Sequence, residues 1–69
     1  MLKLDIFKLR LEQARACFTV EELAVKAEIS RISLSRILSG ENKATPKTIG
    51  KLARALNVDV TEIIVNEEE

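Results

Sequence analysis

Residues 19–40 read TVEELAVKAEISRISLSRILSG. Thr19 and Glu22 form a T-x-x-E capping box, in which each side chain satisfies a free backbone N–H at a helix start. A helix of about eight residues is predicted from there, with Leu23, Ala24 and Ala27 turned inward. Phe18, just before the cap, is placed to staple onto Leu23. The link Glu28-Ile29 is very short, and Ser30 is a good N-cap, so a second helix begins almost at once. Gly40 ends that helix as the C′ residue, where a positive φ costs glycine little.

The later of these two helices has two different sides. Leu34, Ile37 and Leu38 fall on one side, while Ile32, Ser35 and Arg36 fall on the opposite side and Arg31 and Ser33 on the flanks. A helix that only supports a core has no use for an isoleucine in the middle of its wet face, between two arginines. A helix in the major groove of DNA has uses for both, since arginine reads guanine and an apolar side chain touches the thymine methyl. Two short helices joined by a tight turn, the second carrying arginines outward, match a helix-turn-helix. Leu23, Ala27, Ile29, Leu34 and Ile37 then close the small core between them, and Ala24 is small where the helices come closest.

Outward from this unit, stop and start signals define three more segments. The first runs from Leu4 to Ala16, with Leu4, Phe7, Leu11 and Ala14 as its apolar stripe. After a polar loop, ENKAT at 41–45, Thr45 and Pro46 supply the N-cap and N1 of the next helix. Ile49, Leu52, Ala53 and Leu56 form its inner stripe, and Asn57 stops it. Asp59 and Glu62 suggest another capping box, opening a short fifth helix around VTEIIV. Glu67, Glu68 and Glu69 are expected to be a disordered acidic tail. The expected fold class is therefore all-α: one compact five-helix domain over residues 1–66, with residues 67–69 outside it.

Composition agrees with that class and excludes others. With 69 residues, two glycines and one proline, the chain forms a single domain rich in helix formers. One cysteine, Cys17, rules out an internal disulfide, and with no histidine a Cys/His zinc site is excluded too. Cys17 itself is expected to be a small, partly buried apolar residue. No apolar run approaches a membrane span and no signal-peptide pattern is present, so a soluble protein of a reducing compartment is expected. No nucleophile–base pair and no room for a substrate pocket argue against an enzyme. No cofactor is implied.

The net charge is zero, but its distribution is polarised. Residues 1–29 hold five basic and five acidic side chains; residues 30–54 hold six basic and one acidic; residues 55–69 hold five acidic and none basic. A basic central segment that coincides with the outward arginines suggests a binding face for nucleic acid.

The stretch TVEELAVKAEISRISLSRILSGENKATPKTIGKLARALNVDVTEII also resembles a known family. EELA, IS-R-I-S-L-S-R-I, the following SG and TIGKLARALNVDV look like the Cro/CI, or lambda-repressor-like (XRE), helix-turn-helix family. The resemblance covers Thr19 to Ile64. It implies sequence-specific binding of double-stranded DNA by a transcriptional regulator, a repressor in the first instance, acting as a homodimer on an inverted-repeat operator. It implies base contacts by Arg31, Ile32, Ser33 and Arg36. Phosphate contacts fall to Thr19, Ser30, Ser35, Lys43, Thr45 and Lys47, near helix starts and in the loop beyond the groove. It places a dimer face near the fifth helix, through Val60, Ile63, Ile64 and Val65, and a cytoplasmic, nucleoid-associated location in a bacterial or phage setting.

Two positions depart from the family's habit. Val20 stands where glutamine often bonds phosphate and braces the reading helix, and Glu28 stands where glycine often makes the turn. Two other functions share the frame: an antitoxin that binds both a toxin and its own operator, and a module whose helix-turn-helix binds only protein. The basic segment and the outward arginines count against the second.

Overall fold

The computed structural model describes residues 2–65. Four α-helices make up the fold: α1 Ile6–Ala16, α2 Val20–Ala27, α3 Arg31–Leu38 and α4 Pro46–Leu56, followed by a 3-10 turn over Val60–Glu62. The expected all-α class holds. The expected tail, Glu67–Glu69, lies outside the described residues.

Local signals set the helix starts. The Thr19 box forms in full: the Glu22 N–H donates to Thr19 Oγ1 at 3.1 Å, and Glu22 Oε1 accepts from the Thr19 N–H at 2.8 Å. Ser30 accepts from the Ser33 N–H at 3.0 Å to start α3. Thr45 accepts from the Thr48 N–H at 3.3 Å, with Pro46 at the first helical position of α4. Three helices end on a left-handed residue that is not glycine: Cys17 after α1, Glu28 after α2 and Asn57 after α4, with φ of 60°, 60° and 59°. Gly40, at φ 85°, is the glycine that takes this conformation after α3. The turn inside the helix-turn-helix is thus made by Glu28 in the backbone conformation that glycine adopts more cheaply. Cys17 is exposed at its own helix end, not partly buried as expected.

The core gathers α2, α3 and α4. Leu23, Leu34, Ile49 and Leu52 are fully buried, with Ala24, Ala27 and Ala53 filling the close approaches. The inner stripes of α2, α3 and α4 are those the periodicity assigns, and Phe18, Val20 and Ile29 pack against the same cluster.

Two expectations are corrected. In α1 the buried residue is Leu9, with Ile6 and Ala16 packed beside it, while Phe7 is 71% exposed and Leu11 44%. The helix carries apolar residues on both sides, and contacts outside the helix choose between them. Asp5 caps α1 by accepting from the Lys8 N–H at 3.1 Å, and the Asp5 N–H donates to the Ile63 carbonyl at 2.8 Å. Lys8 Nζ donates to the Ile64 carbonyl at 3.2 Å, which further fixes the rotation of α1.

The second correction concerns the fifth helix, which shortens to the 3-10 turn. Asp59 accepts from the N–H and hydroxyl of Thr61 instead of forming a box with Glu62. The residues that follow, Ile63, Ile64 and Val65, are β-branched: Leu4 and Ile64 form an isolated antiparallel bridge, and the Val65 N–H donates to the Lys3 carbonyl at 2.8 Å. Ile63 has no exposed surface and completes the monomer core, so it is not available to a dimer face as expected. Branched side chains fit extended pairing better than a helix, and here the N-terminal segment supplies the bridge partner.

Candidate nucleic-acid interface

Burial of Leu34, Ile37 and Leu38 fixes which way α3 faces. Arg31, Ile32, Ser33, Ser35 and Arg36 are consequently exposed, with Ile32 at 66%. The chain leaves a large apolar side chain in water at the centre of a helix face, although burying it would be favourable by about 1.5–3 kcal/mol. One shallow surface unites Val20 from α2 with Arg31, Ile32, Ser35 and Arg36 from α3 and Glu41 from the following loop. Its width is open to solvent, and no residue of α1 lines it.

Across this surface the guanidinium of Arg31 lies 4.0 Å from the Glu21 carboxylate, and both side chains are exposed. Arg36 forms no ion pair among the described residues. Its backbone carbonyl accepts from the N–H groups of Glu41 and Asn42 at 2.9 and 3.2 Å, which ties the end of α3 to the loop. The sequence reading missed Glu21 and Glu41. Both are acids at the edge of a basic face, and residue type alone gives no sign of it, because Glu21 also serves as an ordinary first-turn acid of α2.

Of the residues expected at phosphates, Ser35 lines the shared surface beside Ile32 and Arg36, and the others lie at helix starts and in the loop before α4. Thr19 and Ser30 stand at the starts of α2 and α3, exposed, with their hydroxyl oxygens engaged as caps. Ser30 also donates to Ser33 Oγ at 2.9 Å, so Ser33 is tied to the helix start rather than left free. Lys43, Thr45 and Lys47 are exposed along the loop and first turn of α4, where Thr45 Oγ1 caps the helix and donates to Thr48 Oγ1 at 3.1 Å. Among the described residues no cluster of His, Cys, Asp or Glu could hold a metal, and no helix is long and apolar enough to cross a membrane.

A surface of this kind suits a duplex. It carries fixed cations, hydroxyls and helix N-termini for phosphate, and one apolar side chain aimed outward between arginines. A family model described as helix-turn-helix matches residues 10–63. No curated protein matches the chain significantly. Among solved structures the fold is similar to the restriction-modification controller protein C.AhdI from Aeromonas hydrophila, with a TM-score of 0.78 and 24% identity over 83% of this chain and 86% of that one.

Proposed function

The chain belongs to the Cro/CI-type helix-turn-helix family of sequence-specific DNA-binding transcriptional regulators, and from that premise we propose how it reads DNA. Helix α3 enters the major groove of double-stranded DNA. Arg31 and Arg36 grip guanine through O6 and N7, Ile32 meets a thymine methyl, and Ser33 is a secondary base contact. Thr19, Ser30 and Ser35 meet phosphates on one side of the groove, and Lys43, Thr45 and Lys47 meet them on the other. Ser30 and Thr45 use their hydroxyl oxygens as caps and donate their hydroxyl hydrogens to Ser33 and Thr48, so they approach phosphate through the backbone at the helix start.

The observation that carries this reading is the exposed Ile32 held between two exposed arginines on one surface. Core packing explains Leu34, Ile37 and Leu38; nothing in the monomer explains Ile32. The chain acts as a repressor, by occupying an operator, in a cytoplasmic, nucleoid-associated setting, and it is not an enzyme. Residues 1–66 form the DNA-binding domain.

The operator is an inverted repeat bound by a homodimer whose two α3 helices sit about 34 Å apart, one turn of DNA. With Ile63 taken up by the core, the exposed Val65 and the half-buried Val60 and Ile64 are what remains of the proposed dimer face. Selection of bound duplexes from a random library tests the proposal. An inverted repeat with spaced half-sites supports both specificity and dimerisation; recovery of unrelated sequences contradicts specific reading.

A further inference from the structure

Helix α1 has an outer face that no other described element covers. Its exposed residues are Phe7, Arg10, Leu11, Ala14 and Arg15. Phe7, Leu11 and Ala14 recur at i, i+4 and i+7, so they form one stripe, with Arg10 and Arg15 on its two flanks. An aromatic side chain 71% exposed beside a leucine 44% exposed is an anchor pair without a pocket.

The charge on this face is one-sided. The acids of α1 and its cap are largely covered: Asp5 is half-buried as the N-cap, and the Glu12 side chain, 12% exposed, pairs at 3.6 Å with the guanidinium of Arg15, which stays 75% exposed. Every exposed side chain of α1 is therefore apolar or cationic; Arg10 forms no ion pair among the described residues, and Arg15 shares Glu12 while keeping most of its surface in solvent. We infer that this face docks an acidic amphipathic helix of a partner protein, with leucine-like side chains against Phe7 and Leu11 and carboxylates beside Arg10 and Arg15.

Charge complementarity selects this occupant over two others. A second copy paired about a two-fold axis would set the same patch against itself, and the arginines of one copy would meet those of the other. DNA would satisfy the arginines but leave Phe7 and Leu11 facing phosphates, from which they gain nothing. The face is also separate from the reading surface, so partner and operator can be held at once. The inference does not rest on the DNA reading, and either can fail alone.

The test uses the full chain and two fluorescent amphipathic peptides, with leucines at i, i+3, i+4 and i+7 and either glutamate or lysine at the remaining positions. Fluorescence anisotropy should show binding of the glutamate peptide and none of the lysine peptide. Phe7→Ser should weaken the glutamate peptide about tenfold or more, as loss of a central anchor does. The pair Arg10→Glu and Arg15→Glu should weaken it similarly and bring in binding of the lysine peptide. Because Phe7 and both arginines are exposed, an unchanged melting midpoint shows that the variants are folded, and the Phe7 variant should bind selected duplexes as the wild type does. Equal binding of the two peptides, binding that survives Phe7→Ser, or binding of neither peptide overturns the inference. So does a dimer in sedimentation that Phe7→Ser dissolves, which would make a second copy the occupant.

Discussion

The Arg31 guanidinium, on the first residue of α3, reaches back 4.0 Å to the carboxylate of Glu21 in the first turn of α2. Such an exposed pair contributes little to stability, about 0–1 kcal/mol. The pair links Arg31, proposed to face the groove, to the helix behind it, on the side where Val20 offers no polar group. Glu21→Gln should leave the melting midpoint nearly unchanged, raise affinity for all duplexes by removing a negative charge near phosphate, and relax base preference at the position Arg31 reads. Library selection with the variant measures this. An unchanged preference at every position would separate Glu21 from the reading of DNA.

Ile32 and Lys43 should fail differently. On the proposed roles, Ile32→Ala takes away a base-edge contact, so discrimination should fall by about 1–3 kcal/mol at one base pair and little elsewhere. Lys43→Ala takes away a proposed phosphate contact, so affinity should drop alike for all sequences and the salt slope should shrink by about 1. Competition binding against single-position duplex variants distinguishes them, and identical profiles would show that the two roles are misassigned.

Glu28 sits at φ 60° in the turn between α2 and α3. A left-handed residue other than glycine costs roughly 1–2 kcal/mol. Glu28→Gly should recover about 1 kcal/mol, a rise in melting temperature of about 4–8 °C for a domain of this size. Gly40→Ala should do the reverse, since a Cβ at Gly40 meets nothing within 4 Å and only its φ of 85° opposes the change. Thermal denaturation of both variants checks the pair.

Ile63→Ala tests where the chain's C-terminal isoleucines belong. With Ile63 fully buried, truncation should cost about 2–5 kcal/mol of monomer stability. Chemical denaturation should therefore show the loss at any protein concentration. A loss that disappears as concentration rises would return Ile63 to a subunit interface.

The Asp59 carboxyl is held below its ordinary value of 3.8 by accepting the Thr61 hydroxyl and then the Thr61 N–H. A lowered folded value means that the ionised form is favoured in the fold. Its contribution is thus complete above the ordinary aspartate range and is lost as pH falls through the lowered value. Comparing the stability of wild type and Thr61→Val across acid pH should show the two converging as Asp59 protonates; a constant gap would remove Asp59 from the effect.

Much of the fold is legible in the sequence because its signals are local. Thr19-x-x-Glu22, Ser30, Thr45-Pro46 and Asn57 each act within a turn of the helix they bound, and the structure uses all of them. The misreadings arise where distant segments decide. Phe7, Leu11 and Ala14 repeat as regularly as a core stripe, but it is Leu9 that joins the core cluster, in a helix packed on α4 and held at its start by the pairing of residues 3–5 with 63–65. The same pairing draws Ile63 and Ile64 out of the expected fifth helix. On the reading surface, the exposure of Ile32, Ser35 and Arg36 follows from helical periodicity, whereas Glu21 and Glu41 come to it through tertiary placement that no spacing reveals.

Insertion of α3 into the major groove is tested most directly by gel-shift titration of one selected duplex and one scrambled duplex, each at low and moderate salt, with wild type and Arg36→Ala. Groove reading predicts tight binding of the selected duplex, a steep loss of affinity with salt on both, and a penalty from Arg36→Ala that is larger on the selected duplex. Affinity that is weak, insensitive to salt and equal for the two duplexes would contradict it.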